Sequence, residues 1–140
     1  MFQSSDLLSQ TAAIEVLAVG SSELGGALDR IFRRSNWLLR HVRTCREAIA
    51  FVNNKETGIL ICEAQLPDAN WAAVLSELKS VAMPPTLIVT SPYADDALWA
   101  TVLNLGGYDV IAQPFDAQEV FRVLSSAWAR WHNLWKPRLL

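Results

Sequence analysis

Basic runs are missing from this 140-residue chain. Its 12 Lys and Arg are scattered and outnumbered by 14 Asp and Glu, for a formal charge of −2. With no clustered cationic surface, nucleic acid is not an expected partner. Cysteine is scarce: Cys45 and Cys62 make no disulfide framework, and Cys62, closing an apolar run, reads as a small core residue. No apolar run approaches the roughly 20 residues that span a bilayer. The opening MFQSSDLLSQTAA lacks a basic region followed by a long apolar stretch. These absences point to a cytoplasmic protein without membrane contact. Histidine is rare as well. His41 and His132 fall on a mixed strand and a terminal helix, away from the expected cleft, and no nucleophile–base pair stands out.

What is present is a half-apolar composition, 51% hydrophobic with 19% charged residues. That fits one globular domain with its own core. The boundaries expected are an extension at 1–13, the domain at 14–135 and a tail at 136–140.

The chain alternates two periodicities. Residues 14–19, 37–43, 59–62, 86–90 and 108–112 read as strands. Between them lie helical patterns. The first is capped by Ser21 or Ser22 and carries Leu24, Ala27, Leu28, Ile31 and Phe32 on one face. The second opens on the capping box Thr44-Cys45-Arg46-Glu47. The third starts near Asn70, the fourth covers about 94–105 and stops at Gly106-Gly107, and the last runs from about Asp116 to Trp135 with Pro137 closing it. Strand–helix alternation with short connections implies parallel pairing and right-handed crossovers. The fold class expected is α/β: a doubly wound five-stranded parallel sheet, strand order 2-1-3-4-5, with helices on both faces. Chemistry in such a fold sits at the carboxyl ends of the strands, here Gly20-Ser21-Ser22, Glu63 and Thr90-Ser91.

Leu66-Pro67-Asp68 after the third strand, Thr90 ending the fourth, and Gly106-Gly107…Asp109…Gln113-Pro114-Phe115 have an order and spacing that carry a resemblance. Over about residues 14–131 the sequence resembles the receiver domain of two-component response regulators. The resemblance implies an aspartate phosphoacceptor ending strand three, an acid pair after strand one that helps bind Mg²⁺, a Thr or Ser after strand four, a Lys after strand five, and a switch aromatic on strand five. Carried over, the acceptor position holds Glu63, the acid pair falls on Gly20 and Ser21, the lysine position holds Gln113 and the switch position Val110. Thr90 and Pro114 match, and the resemblance implies a cis peptide at Gln113-Pro114.

These substitutions remove charge from a step that depends on it. Phosphoryl transfer rests on positioning and charge neutralisation. Glycine and serine make a poor magnesium site, and glutamine brings no cation. Glu63 is also one methylene longer than aspartate, and a misplacement near 1 Å costs on the order of 100-fold in rate. The expectation is a non-catalytic interaction module with a degenerate phosphorylation site and neither metal nor cofactor. Glu63 either reaches Thr90 and imitates the phosphorylated state or is a strand-end residue that has lost its task. Asp68 is expected to order the turn before the third helix.

Two other functions stay open. One is phosphotransfer from a histidine kinase onto Glu63 or Asp68. The other is small-ligand binding of flavodoxin-like form, with the Gly20–Gly26 turn presenting amides to an anion.

Six tryptophans are many for this length. Trp99, Leu103, Phe121 and Trp128 are expected to form an aromatic patch on the fourth helix, fifth strand and fifth helix, a surface that receiver domains use for dimers and partners. No output domain is expected within residues 137–140; if the chain is the complete protein, output would act through a protein partner, a histidine kinase or an output protein, whereas in a longer protein a further segment would decide it, and a homodimer through the same face is a further expectation.

Overall fold

The computed structural model describes residues 14–136. The expected N-terminal extension and the closing role of Pro137 lie outside the described residues. In chain order the elements are β1 (Glu15–Val19), α1 (Ser22–Phe32), β2 (Leu38–Val42), α2 (Cys45–Asn54), β3 (Ile59–Glu63), α3 (Trp71–Leu78), β4 (Thr86–Ser91), α4 (Asp96–Leu105), β5 (Asp109–Ala112) and α5 (Ala117–Trp135). The strands form one sheet in the order β2-β1-β3-β4-β5, every pair parallel. The expected α/β architecture and strand order are those observed.

Alternation along the strands feeds two cores. Val16, Ala18, Ile59, Ile61, Ile88 and Ile111 pack with α1 and α5 on one face. Leu17, Val19, Leu60, Cys62, Leu87 and Val89 pack with α2, α3 and α4 on the other. This is why the central strands read as unbroken apolar runs: each side chain has a helix layer to face. Each fully buried aliphatic side chain contributes roughly 1.5–3 kcal/mol of transfer free energy. α5 buries Val120, Val123, Leu124, Ala127 and Trp131, the stripe its spacing predicts.

Each helix begins just beyond the carboxyl end of a strand and is capped there by a side chain. Ser21, Thr44, Asn70, Asp95 and Asp116 accept from the amides of Leu24, Glu47, Ala73, Leu98 and Glu119. The positive ends of five helix dipoles therefore gather at the cleft end of the sheet, where they favour negative charge.

Candidate functional site

β1 and β3 are neighbours, and their carboxyl ends bring Gly20-Ser21 beside Glu63. The Ser21 amide donates to Glu63 Oε1 at 2.8 Å, and the Ser21 hydroxyl donates to Oε2 at 3.0 Å. The same hydroxyl accepts from the Leu24 amide at 3.2 Å. One serine thus caps α1 and binds both oxygens of the strand-end carboxylate. Glu63 is the anion that the α1 N-terminus would otherwise take from outside.

Gly20 makes this possible. Its φ of +153° is one that L side chains rarely adopt, and a Cβ there would stand 2.5 Å from Glu63 Oε1. Its backbone is fixed on both sides, the N–H donating to the Val42 carbonyl at 3.0 Å and the C=O accepting from His41 Nε2 at 2.9 Å. A carbonyl only accepts, so Nε2 of His41 carries the proton. His41 therefore borders the cleft, contrary to its expected place away from it. Gly25 makes room for the ring, since a Cβ there would come within 2.8 Å of Nδ1. The sequence signal was available: β2 lies beside β1, and alternate β2 residues point toward α1.

Glu63 does not reach Thr90. Thr90 is fully buried and donates its hydroxyl to the Ile111 carbonyl at 2.7 Å, while Gln113 Nε2 donates to Thr90 Oγ1 at 3.3 Å. The threonine proton is spent on β5. The Gln113-Pro114 peptide is cis, as the resemblance implied. Val110, at the switch position, packs into the α2–α4 side of the core.

Asp68 has a different task from the one expected. Its carboxylate accepts from the amides of Cys45 at 2.9 Å and Arg46 at 3.1 Å, so it holds the first turn of α2 across the cleft. Hydrogen bonds from the Cys45 amide, then the Arg46 amide, hold its carboxyl below the usual carboxylate range. Glu63 and Asp68, five positions apart around the β3 end, thus serve as internal anions for two helix N-termini. Burial pushes both cysteine thiols up from their ordinary value, and both are free; neither is a ready nucleophile.

The resemblance to receiver domains implies a magnesium ion at the carboxyl ends of β1 and β3, and the donor set there does not suit one. Position 20 has no side chain and no space for one. The Ser21 hydroxyl donates to Glu63, and the carboxylate itself is already twice bonded. An octahedral cation asking for several oxygen ligands does not fit these residues. Among the described residues no group of three or more His, Cys, Asp and Glu side chains converges on a metal position.

The expected aromatic patch is divided. Trp99 and Leu103 are exposed on α4, at 48% and 43%. Trp99 Nε1 donates to Asp109 Oδ1 at 3.0 Å, which lays the indole across the gap between α4 and β5. Phe121 is instead partly buried, its ring centroid 5.7 Å from that of Phe32 and 6.0 Å from that of Trp37. Trp128 stacks on His132 at 4.7 Å and packs near Gly58, below the amino end of β3. The seven-residue spacing does put Phe121 and Trp128 on one flank of α5, but that flank turns toward α1, β2 and the foot of β3. α4 lies on the other side.

The sheet order and the helix layers define a flavodoxin-like α/β domain. Residues 22–125 match the family model of the response regulator receiver domain, and the chain belongs to that family. The transcriptional regulator NtrC of Proteus hauseri is 19% identical over 116 residues, 83% of this chain; the chain spans about a quarter of NtrC's length. The receiver domain of an HD domain-containing protein from Pseudomonas fluorescens Pf-5 superposes with a TM-score of 0.79 at 23% identity, covering 91% of this chain and 94% of its own. The receiver domain of a LuxO-type repressor from Vibrio parahaemolyticus gives 0.77 at 22%, covering 85% and 92%. At these identities the likeness is one of fold. The chain is a receiver domain of two-component signalling, a class of signalling modules.

Proposed function

We propose that this receiver domain signals without phosphotransfer, as a binding module whose response is read through protein contact. The observation that carries this is the pair of hydrogen bonds from Ser21 to Glu63, made in the space where a metal-binding acid at position 20 would have to stand. The acceptor carboxylate is tied to α1, and the neutral Gln113 stands where the phosphoryl group would need a cation. Glu63 faces Ser21 and not Thr90, which favours a strut between β3 and α1 over an imitation of the phosphorylated state.

The partner class is a protein of the signalling chain, a histidine kinase or an output protein, met through α4, β5 and α5. Among the described residues no helix is long and apolar enough to cross a membrane, and with two free buried thiols a reducing, cytoplasmic setting fits. Phosphotransfer onto Asp68 is disfavoured because both of its oxygens are engaged by α2 amides. Anion capture at the Gly20–Gly26 turn meets a Ser21 amide already donated to Glu63.

Intact-mass measurement after incubation with acetyl phosphate and Mg²⁺ tests the proposal. The expected product is unmodified protein. A gain of one phosphoryl group that disappears in Glu63→Ala or in Asp68→Ala would overturn it and name the acceptor.

A further inference from the structure

The surface around Trp99 has a charge as well as an apolar face. From Ser80 to Phe121 the chain contains no Lys, Arg or His, while Asp95, Asp96, Asp109, Asp116 and Glu119 all fall within it. This cation-free stretch builds β4, α4, β5 and the start of α5. A groove of about 370 Å³ runs between α4 and β5, lined by Asp95, Asp96, Trp99, Asp109 and Glu119, with Arg122 at its edge. The Trp99 indole is pinned by Asp109, so its face is presented in a fixed orientation. Leu103 continues the apolar surface one turn along α4, and Tyr93, 84% exposed, stands before the helix.

We propose that this face receives a basic amphipathic segment of a partner protein, with a Lys or Arg side chain entering the acidic groove against the Trp99 ring and an apolar side chain lying on Leu103. The proposal rests on the contact-driven function stated above and names the partner's chemistry. Charge complementarity selects this occupant. A cation beside Trp99 gains from both the carboxylates and the ring face, and a fixed tryptophan is a low-entropy anchor. A second copy of the chain fits poorly. A two-fold interface sets the same patch against itself, and here that would bring carboxylates against carboxylates with Arg122 as the groove's one cation.

The test uses the full chain, ¹⁵N-labelled, and a fluorescent amphipathic Lys/Leu peptide, with a Glu/Leu peptide of the same pattern as control. The Lys/Leu peptide should bind, move the Trp99 indole N–H resonance, and weaken as salt is raised. Asp96→Asn with Glu119→Gln should weaken it by about tenfold, as should Trp99→Ala, and the free chain should sediment as a monomer. Equal affinity in the neutralised variant, an unmoved Trp99 resonance, or a dimer that Trp99→Glu dissolves would each overturn the proposal. Such a failure in protein that carries no phosphoryl label overturns the partner chemistry alone and leaves the loss of phosphotransfer standing.

Discussion

Gly20 and Glu63 occupy complementary space: the side chain missing from one is filled by the extra length of the other, with a Cβ at position 20 falling 2.5 Å from Glu63 Oε1 and 2.7 Å from its carboxyl carbon. The two positions depend on each other sterically. A longer carboxylate needs the vacancy, and the glycine needs something to fill it. Restoring an acid at one position therefore does not restore a metal site.

Gly20→Asp should be destabilising by about 2–4 kcal/mol, because it combines a clash with a strained φ. Shortening Glu63 to aspartate in the same chain should recover part of that cost, so the double variant falls short of the summed single effects by about 1 kcal/mol. Urea unfolding of the four proteins measures it. Strict additivity would mean the two residues do not share space.

Asp68 links stability to pH. Its carboxyl is held low in the folded protein by the amides of Cys45 and Arg46. The contribution is therefore fully present above the unfolded carboxyl value of about 3.9 and is lost as pH falls through the lower folded value. Asp68→Asn should lower stability at neutral pH and flatten the acid limb of the stability curve. It should not abolish that limb, since Glu15 and Glu47 are also held low. At Glu15 burial opposes ionisation but is outweighed by Lys55 and Arg40; at Glu47 the chief cause is the Arg43 amide. Parallel curves for Asp68→Asn and the parent would contradict the assignment.

Phe121 and Trp99, expected from the sequence to share one aromatic patch, should part company on mutation. Phe121→Ala removes a ring packed against Phe32 and Trp37 and should cost about 2–4 kcal/mol, toward the range seen for core Phe→Ala changes. Trp99→Ala, on an exposed helix face, should stay within about 1 kcal/mol. Thermal unfolding of both variants decides; equal losses would mean that Trp99 belongs to the core.

The fold was legible because period-two and period-3.6 patterns record which side chains face a layer. The apolar stripe of α5, the Thr44–Glu47 capping box and the apolar runs of β1, β3 and β4 all state their environment locally. The cleft was only half legible. That Gly20, Ser21, Glu63, Thr90 and Gln113 converge follows from strand order, but the direction of each side chain does not. Glu63 turning to Ser21, Asp68 crossing to α2 and His41 reaching Gly20 are contacts between residues 21 to 42 positions apart, and no local pattern encodes them. Phe121 was misplaced for a related reason. Helical spacing gives a flank of α5, and only the packed neighbours say which element that flank meets.

The proposal that this domain signals without metal-dependent phosphotransfer is tested most directly by ¹H–¹⁵N correlation spectra recorded as Mg²⁺ and then beryllofluoride are added. The amides of Ser21, Glu63, Ala64 and Thr90 should stay where they are at every addition. Saturable shifts centred on those residues would show that the Ser21–Glu63 contact opens to admit a metal and a phosphoryl mimic, and that the domain retains the chemistry of its family.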